Sequence, residues 1–132
     1  MTLRFEDAPP DLESLIALYG SVGWKSYLRH PERAMRGVRA STYVTCAWEE
    51  DRLIGMARTI SDDATIWLLQ DLLVHPDHQG RGLGAALIAR AEARHADVPR
   101  GLLLTDASGP TGFYERVGWH QDARIATFLR GR

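Results

Sequence analysis

The sequence predicts a mixed α/β fold built on a mostly antiparallel sheet flanked by helices. Three observations carry that expectation. Three strand-like patterns follow one another between Thr42 and Val74. A glycine-rich turn then opens an apolar helical stripe at Leu83, Leu87, Ile88 and Ala91. A short apolar run, Leu102 to Thr105, comes after that helix. Consecutive strands joined by short turns pair antiparallel, whereas a strand–helix–strand unit, here Thr65 to Thr105, pairs parallel and right-handed.

Each element has its own local reason. Thr2 to Phe5 is a short strand candidate. Leu12, Leu15, Ile16 and Tyr19 recur at helical spacing behind Pro9-Pro10-Asp11, a suitable helix start, and Gly20-Ser21-Val22-Gly23 stops them. A second, weaker helix follows Pro31, from Glu32 to Val38. Tyr43 to Trp48 is rich in β-formers; Glu49-Glu50-Asp51 is a polar turn, and Leu53 to Ile60 is the hairpin partner. Ser61-Asp62-Asp63 turns the chain into Thr65 to Val74, a long apolar run that reads as a central strand. Thr111 to Arg116 is a short helix candidate, and Arg124 to Leu129 a last strand.

Composition bounds the function. The 132 residues suit one domain, expected to span 1–132, able to bury roughly two-thirds of its unfolded surface. Hydrophobic residues make up 45% and charged residues 25%, which excludes a disordered chain. Lysine plus arginine number 16 and aspartate plus glutamate 17, a formal charge of −1 that argues against a dedicated nucleic-acid binder. Cys46 is the one cysteine, so no intramolecular disulfide and no cysteine-based metal site is possible. No window approaches the roughly 18 to 20 apolar residues of a membrane span. The segment Met1 to Asp7 lacks a signal peptide's apolar core, so the cytoplasm is the expected location.

The stretch from Val74 to Ala86, VHPDHQGRGLGAA, carries the chemistry. A strand runs into glycines, and the glycines open a helix. Glycine lets the backbone approach a ligand closely, and a helix N-terminus adds free N–H groups and a positive dipole end. Together they suit a phosphate or pyrophosphate, with Arg81 at the rim. A tight turn needing glycine for shape alone is the plainer reading, and three glycines within five positions exceed that need. The P-loop pattern fails for want of a lysine. The dinucleotide fingerprint is formally met by Gly80, Gly82 and Ala85, with Asp106 beyond the next strand. That fingerprint should follow its strand directly, and here His75 to Gln79 intervenes. One strand–helix–strand unit also makes a poor dinucleotide domain.

A third pattern, Gln/Arg-x-x-Gly-x-Gly/Ala, is met at every defined position by Gln79-Gly80-Arg81-Gly82-Leu83-Gly84. With it come Leu72-Leu73-Val74-His75-Pro76 ahead of the loop and Phe113-Tyr114-Glu115-Arg116-Val117-Gly118-Trp119 late in the chain. On these motifs and on the order of its elements, the chain resembles the GCN5-related N-acetyltransferase (GNAT) superfamily over nearly its whole length. The resemblance implies a sheet with a splayed central strand. It also implies acetyl-CoA as co-substrate, no metal, and direct transfer of an acetyl group to a primary amine, with a small molecule expected and a homodimer possible.

It further implies a set of site residues. The backbone of Gln79, Gly80, Arg81, Gly82, Leu83, Gly84 and Ala85 would hold the CoA pyrophosphate. Leu72, Leu73 and Val74 would meet the acyl arm, a backbone N–H there stabilising the developing oxyanion. Asp106 and Ser108 would flank the pantetheine, and Tyr114 would protonate the departing thiolate, a phenol being a proton donor at neutral pH. The alternative for Tyr114 is one more packed aromatic.

The base stays open. Relatives often carry a titratable group near Leu68 and Gln70, where this chain has none. Asp71 is adjacent, and strand alternation turns it to the opposite face from Gln70 unless a bulge intervenes. Either Asp71 makes functional contact or it is a hydrogen-bonded structural carboxylate; Gln70 would orient water or substrate. Trp24 and Tyr27 would wall an aromatic slot for an ammonium group, or else pack their loop onto the sheet. His75 and His78 are expected to serve the turn, and Cys46 to fill core space. A sensor that binds acyl-CoA without turnover, motivated by the missing central-strand glutamate, is the alternative to an enzyme.

Overall fold

The computed structural model describes residues 2–131. Five strands form one sheet in the order β1-β2-β3-β4-β5. They are β1 (Leu3–Glu6), β2 (Tyr43–Glu49), β3 (Arg52–Ser61), β4 (Ile66–Val74) and β5 (Arg100–Leu103). The first four pair antiparallel and β4 pairs parallel with β5. The mixed, mostly antiparallel sheet expected from the sequence is therefore the sheet observed.

Helices cover both faces. On one lie α1 (Leu12–Ser21), α2 (Lys25–Leu28) and α3 (Pro31–Arg39); on the other lie α4 (Leu83–Arg94) and α5 (Thr111–Arg116). The Asp11 carboxylate accepts from the Ser14 N–H at 3.0 Å and caps α1. Pro31 starts α3 at a position where its missing N–H costs nothing. Leu15, Leu18, Tyr19, Met35 and Val38 bury against Met56 and Leu73 of the sheet. Leu83, Leu87, Ile88 and Ala91 bury against Ala57, Trp67 and Leu69 on the other side.

Two expectations need correction. Beyond β5, residues 120–131 hold no strand among the described residues, so Arg124 to Leu129 is not the last strand that its composition suggests. β-Formers make a strand only where a ladder accepts them, and here Phe128 and Leu129 are 91% and 85% exposed. The apolar run Leu102 to Thr105, expected as a short buried strand, is also displaced: β5 starts earlier, Arg100 and Gly101 are exposed, and Leu104 lies past its end at 58% exposure.

The feature that positions the site is a register break. Arg58 pairs with Asp71 and Thr59 with Leu69, so Gln70 is the extra residue of a bulge in β4. Trp67 and Leu69 before the bulge, and Leu72 and Val74 after it, all pack toward α4. Asp71 and Leu73 turn to the α1 face instead.

Candidate active site

The β4–β5 ladder ends where the bulge begins. Its register runs from Ile66 opposite Arg100 to Leu69 opposite Leu103, while β4 continues to Val74. From Gln70 onward β4 has no ladder partner on this side among the described residues. The His75 N–H donates to the Ile54 carbonyl at 2.8 Å. Antiparallel alternation then turns the N–H groups of Val74 and Leu72 away from β3, into the opening. Those are backbone donors at the place where the splayed strand was expected.

The glycine turn sits at the end of that strand. Pro76–His78 form a single 3₁₀ turn, and the Gln79 side-chain amide donates to the Val74 carbonyl at 3.0 Å, fastening the turn to the strand. Gly80 and Gly82 both have φ of +79°, a left-handed conformation in which a β-carbon is strained. A β-carbon at either would meet no atom within 4 Å, so shape alone does not crowd these positions. Gly82 caps α4 without any side-chain hydrogen bond, which leaves the first-turn N–H groups open. Arg81 is exposed beside them, Leu83 is buried and pins the helix to the sheet, and Ala85 is half-buried. Gly84 has a packing reason: a β-carbon there would stand 3.3 Å from Cζ of Phe113. The close approach seats α5 against the first turn of α4. An open, positive-φ cradle at an uncapped helix N-terminus fits a pyrophosphate.

Tyr114 follows Phe113 on α5, half-buried, its ring packed on the α4-side core. Burial pushes its phenol above the ordinary range, so it stays protonated at neutral pH. Asp106 and Ser108 close on each other: Asp106 accepts from the Ser108 N–H at 2.9 Å and from its hydroxyl at 2.7 Å. The backbone bond first, then the hydroxyl, hold the Asp106 carboxyl below the usual range.

Across the sheet, Asp71 is 2% exposed and fully engaged. It accepts from the Tyr19 hydroxyl at 2.7 Å and the Tyr27 hydroxyl at 3.0 Å, and it pairs with the buried Arg58 guanidinium. Arg58 also donates to the Ser41 hydroxyl at 3.1 Å. Burial, then the Asp71 charge, push the Tyr19 phenol far up. Trp24 and Tyr27 are half-buried and stack with Tyr19 of α1, ring centroids 5.9 and 4.5 Å from it. Gln70 is exposed at the bulge.

Arg58 escaped the sequence reading because an arginine in an amphipathic strand looks like a solvated residue; the signal available was its place among apolar neighbours, Gly55-Met56-Ala57. His75 is held in the turn, its Nδ1 accepting from the Asp77 N–H at 3.1 Å and its Nε2 lying 2.9 Å from Arg52. Cys46 is buried, and burial, followed by Glu6 and Asp7, pushes its thiol up to about 12.

The family model described as an acetyltransferase (GNAT) domain matches residues 40–121, the span from the start of β2 past α5. The chain belongs to the GNAT acetyltransferase family. Among its relatives is an uncharacterized N-acetyltransferase of Gracilaria tenuistipitata var. liui, 34% identical over 122 residues, covering 85% of this chain and 63% of that protein. A protein of Glycine max named as a histone acetyltransferase is 34% identical over 129 residues, covering 85% of this chain and 53% of its own length. The GNAT chain thus spans less than two-thirds of these relatives. A GNAT-family acetyltransferase structure from Streptococcus pneumoniae superposes with a TM-score of 0.83 at 23% identity, covering 99% of each chain, and shares the fold.

Proposed function

We propose that this chain is an acetyl-CoA-dependent N-acetyltransferase of one domain that moves an acetyl group directly to a small primary amine. The observation that carries the reading is the junction of two openings. The cradle at Gly80 and Gly82 lies at the end of the same strand whose Leu72 and Val74 N–H groups face the gap beside β5. The cradle suits the pyrophosphate of CoA and the gap suits its extended arm. Acetyl-CoA supplies the activated acyl group. The chain's part is to hold it, to offer a backbone N–H from Leu72 or Val74 to the developing oxyanion (the Leu73 N–H faces β3 and is not available), and to offer the Tyr114 phenol to the departing thiolate. Asp106 and Ser108 flank the arm, and Trp24, Tyr27 and Gln70 border the acceptor side. The relative named as a histone acetyltransferase makes a protein amine the competing acceptor.

A second reading has one specific observation behind it. The carboxylate nearest the bulge, Asp71, is already committed to Arg58, Tyr19 and Tyr27. A site without a free base fits an acyl-CoA sensor. Thiol release from acetyl-CoA, measured against a panel of amines and a histone-tail peptide, separates the readings. Turnover with a small amine is expected; CoA binding with no turnover on any acceptor would favour the sensor.

The reading extends to assembly and place. The outer edge of β5 lines one groove of about 960 Å³ together with Trp119, Ile125, Thr127 and Leu129. Unpaired edges invite strand addition, and a second copy offers it. Light scattering is expected to give twice the chain mass of 14.8 kDa; a monomer at micromolar concentration would overturn this. Among the described residues no helix is long and apolar enough to cross a membrane.

A further inference from the structure

We infer that the buried Arg58–Asp71 pair is a positioning device that fixes the β4 bulge, and through it the backbone donors facing the acyl arm. The inference rests on the reading above. Gln70, the extruded residue, is exposed and gives the bulge no anchor of its own. A one-residue slip would heal the ladder, and in a strand such a slip exchanges the two faces.

The slip is costly because of what it would do to two charges. Arg58 and Asp71 are the first register partners on the far side of the bulge, their side chains 9% and 2% exposed. Slipping β4 by one residue would set Gln70 opposite Arg58 and turn Asp71 into the apolar face under α4. That leaves a guanidinium and a carboxylate each buried without its partner, a strongly destabilising arrangement. In the observed register both are satisfied. Ser41 holds a second guanidinium nitrogen, and the Tyr19 and Tyr27 hydroxyls hold both carboxylate oxygens. The pair thus selects the register in which Leu72 and Val74 pack toward α4 and their N–H groups face the gap. Tyr27 carries the same constraint to α2, on the acceptor side.

Asp71 then acts through backbone, not as a proton acceptor. Three forms of the full chain test this: the parent, Asp71→Asn, and the doubly substituted Arg58→Gln with Asp71→Asn, which restores a neutral hydrogen-bonded pair. Each is titrated calorimetrically with acetyl-CoA and with the phosphorylated ADP half of CoA, which lacks the pantetheine arm. Asp71→Asn is expected to bind the ADP half like the parent and acetyl-CoA about tenfold more weakly, because a buried Arg58 has lost its counter-charge. The double substitution is expected to recover most of that loss.

Two results would overturn the inference: a double variant no better than the single one, or unchanged acetyl-CoA affinity in Asp71→Asn, whether alone or with loss of one limb of the pH–rate profile. Loss of that limb would make Asp71 the base. Should Asp71→Asn not fold, Arg58→Lys keeps the charge and shortens the reach. A several-fold loss confined to acetyl-CoA is expected from it, and no loss overturns the inference equally. A parent protein that binds neither ligand would instead overturn the transferase reading, and the inference with it.

Discussion

Trp67 occupies the space that a side chain at Gly101 would need. The two are register partners across β4 and β5, and a β-carbon on Gly101 would lie 2.7 Å from the indole Cε2 and Nε1. The ring has little freedom to retreat: it stacks on His95 at 4.8 Å and meets Trp119 edge-on at 5.4 Å. Gly101→Ala is therefore expected to destabilise the fold by about 1–3 kcal/mol, the usual cost of overpacking. Thermal unfolding checks it. An unchanged melting temperature would show that β5 shifts away from the ring without penalty.

How much of this was legible in the sequence depended on how local the rule was. The turn at Gly80 and Gly82 was readable because positive φ is a property of the residue itself. The helix stripe from Leu83 to Ala91 was readable because its period repeats within a few residues. The bulge was not. Nothing in Leu69-Gln70-Asp71 marks an extra residue, and strict alternation would carry Asp71 to the α4 face. The partner that reverses this, Arg58, lies thirteen residues upstream. The segment from Arg124 to Leu129 misled for the converse reason: its β-forming composition is real, but a strand exists only with a neighbour.

Gly82→Val tests the cradle. The substitution puts a branched side chain at φ +79°, where the open space beside the α4 N-terminus lies. Affinity for CoA is expected to fall tenfold or more, at least about 1.4 kcal/mol. Calorimetric titration measures it, with circular dichroism confirming that the sheet and helices persist. Wild-type affinity in a folded variant would remove the turn from the binding site.

His95 sets an acid limit on stability. It is 2% exposed at the end of α4, its Nε2 is 2.6 Å from the Thr59 hydroxyl, and its Nδ1 is buried without a partner among the described residues. Burial first, then the neighbouring Arg94 guanidinium, lower its pKa below the usual 6.5. The unfolded chain then binds the proton more readily than the folded one. The stability that neutral His95 contributes is complete above about pH 6.5 and is lost progressively as pH falls toward the folded-state value. His95→Gln, which cannot titrate, is expected to flatten that part of the melting-temperature profile between about pH 7 and pH 5. A parallel slope in both proteins would assign the acid loss to other groups.

The proposed acid role of Tyr114 makes the most specific claim on chemistry. Tyr114→Phe keeps the ring that packs on the α4-side core and removes only the proton donor. Folding and CoA affinity should therefore survive. Turnover should fall, since general acid catalysis typically contributes about 10²- to 10⁴-fold. Two considerations set the loss at the low end. Burial raises the phenol's pKa, which keeps it protonated but makes it a weaker acid. A CoA thiol, with an unperturbed pKa close to cysteine's at about 8.5, also leaves tolerably without help. The loss should appear in kcat and kcat/KM together, the pattern of an interaction made only in the transition state. If Tyr114 serves packing alone, the hydroxyl is dispensable, and the substitution shifts stability slightly without touching kcat. Steady-state kinetics with a transferred amine, under conditions where chemistry limits the rate, decide between the two. A Tyr114→Phe enzyme with unaltered kcat would remove the phenol from the mechanism and leave the thiolate to depart unassisted.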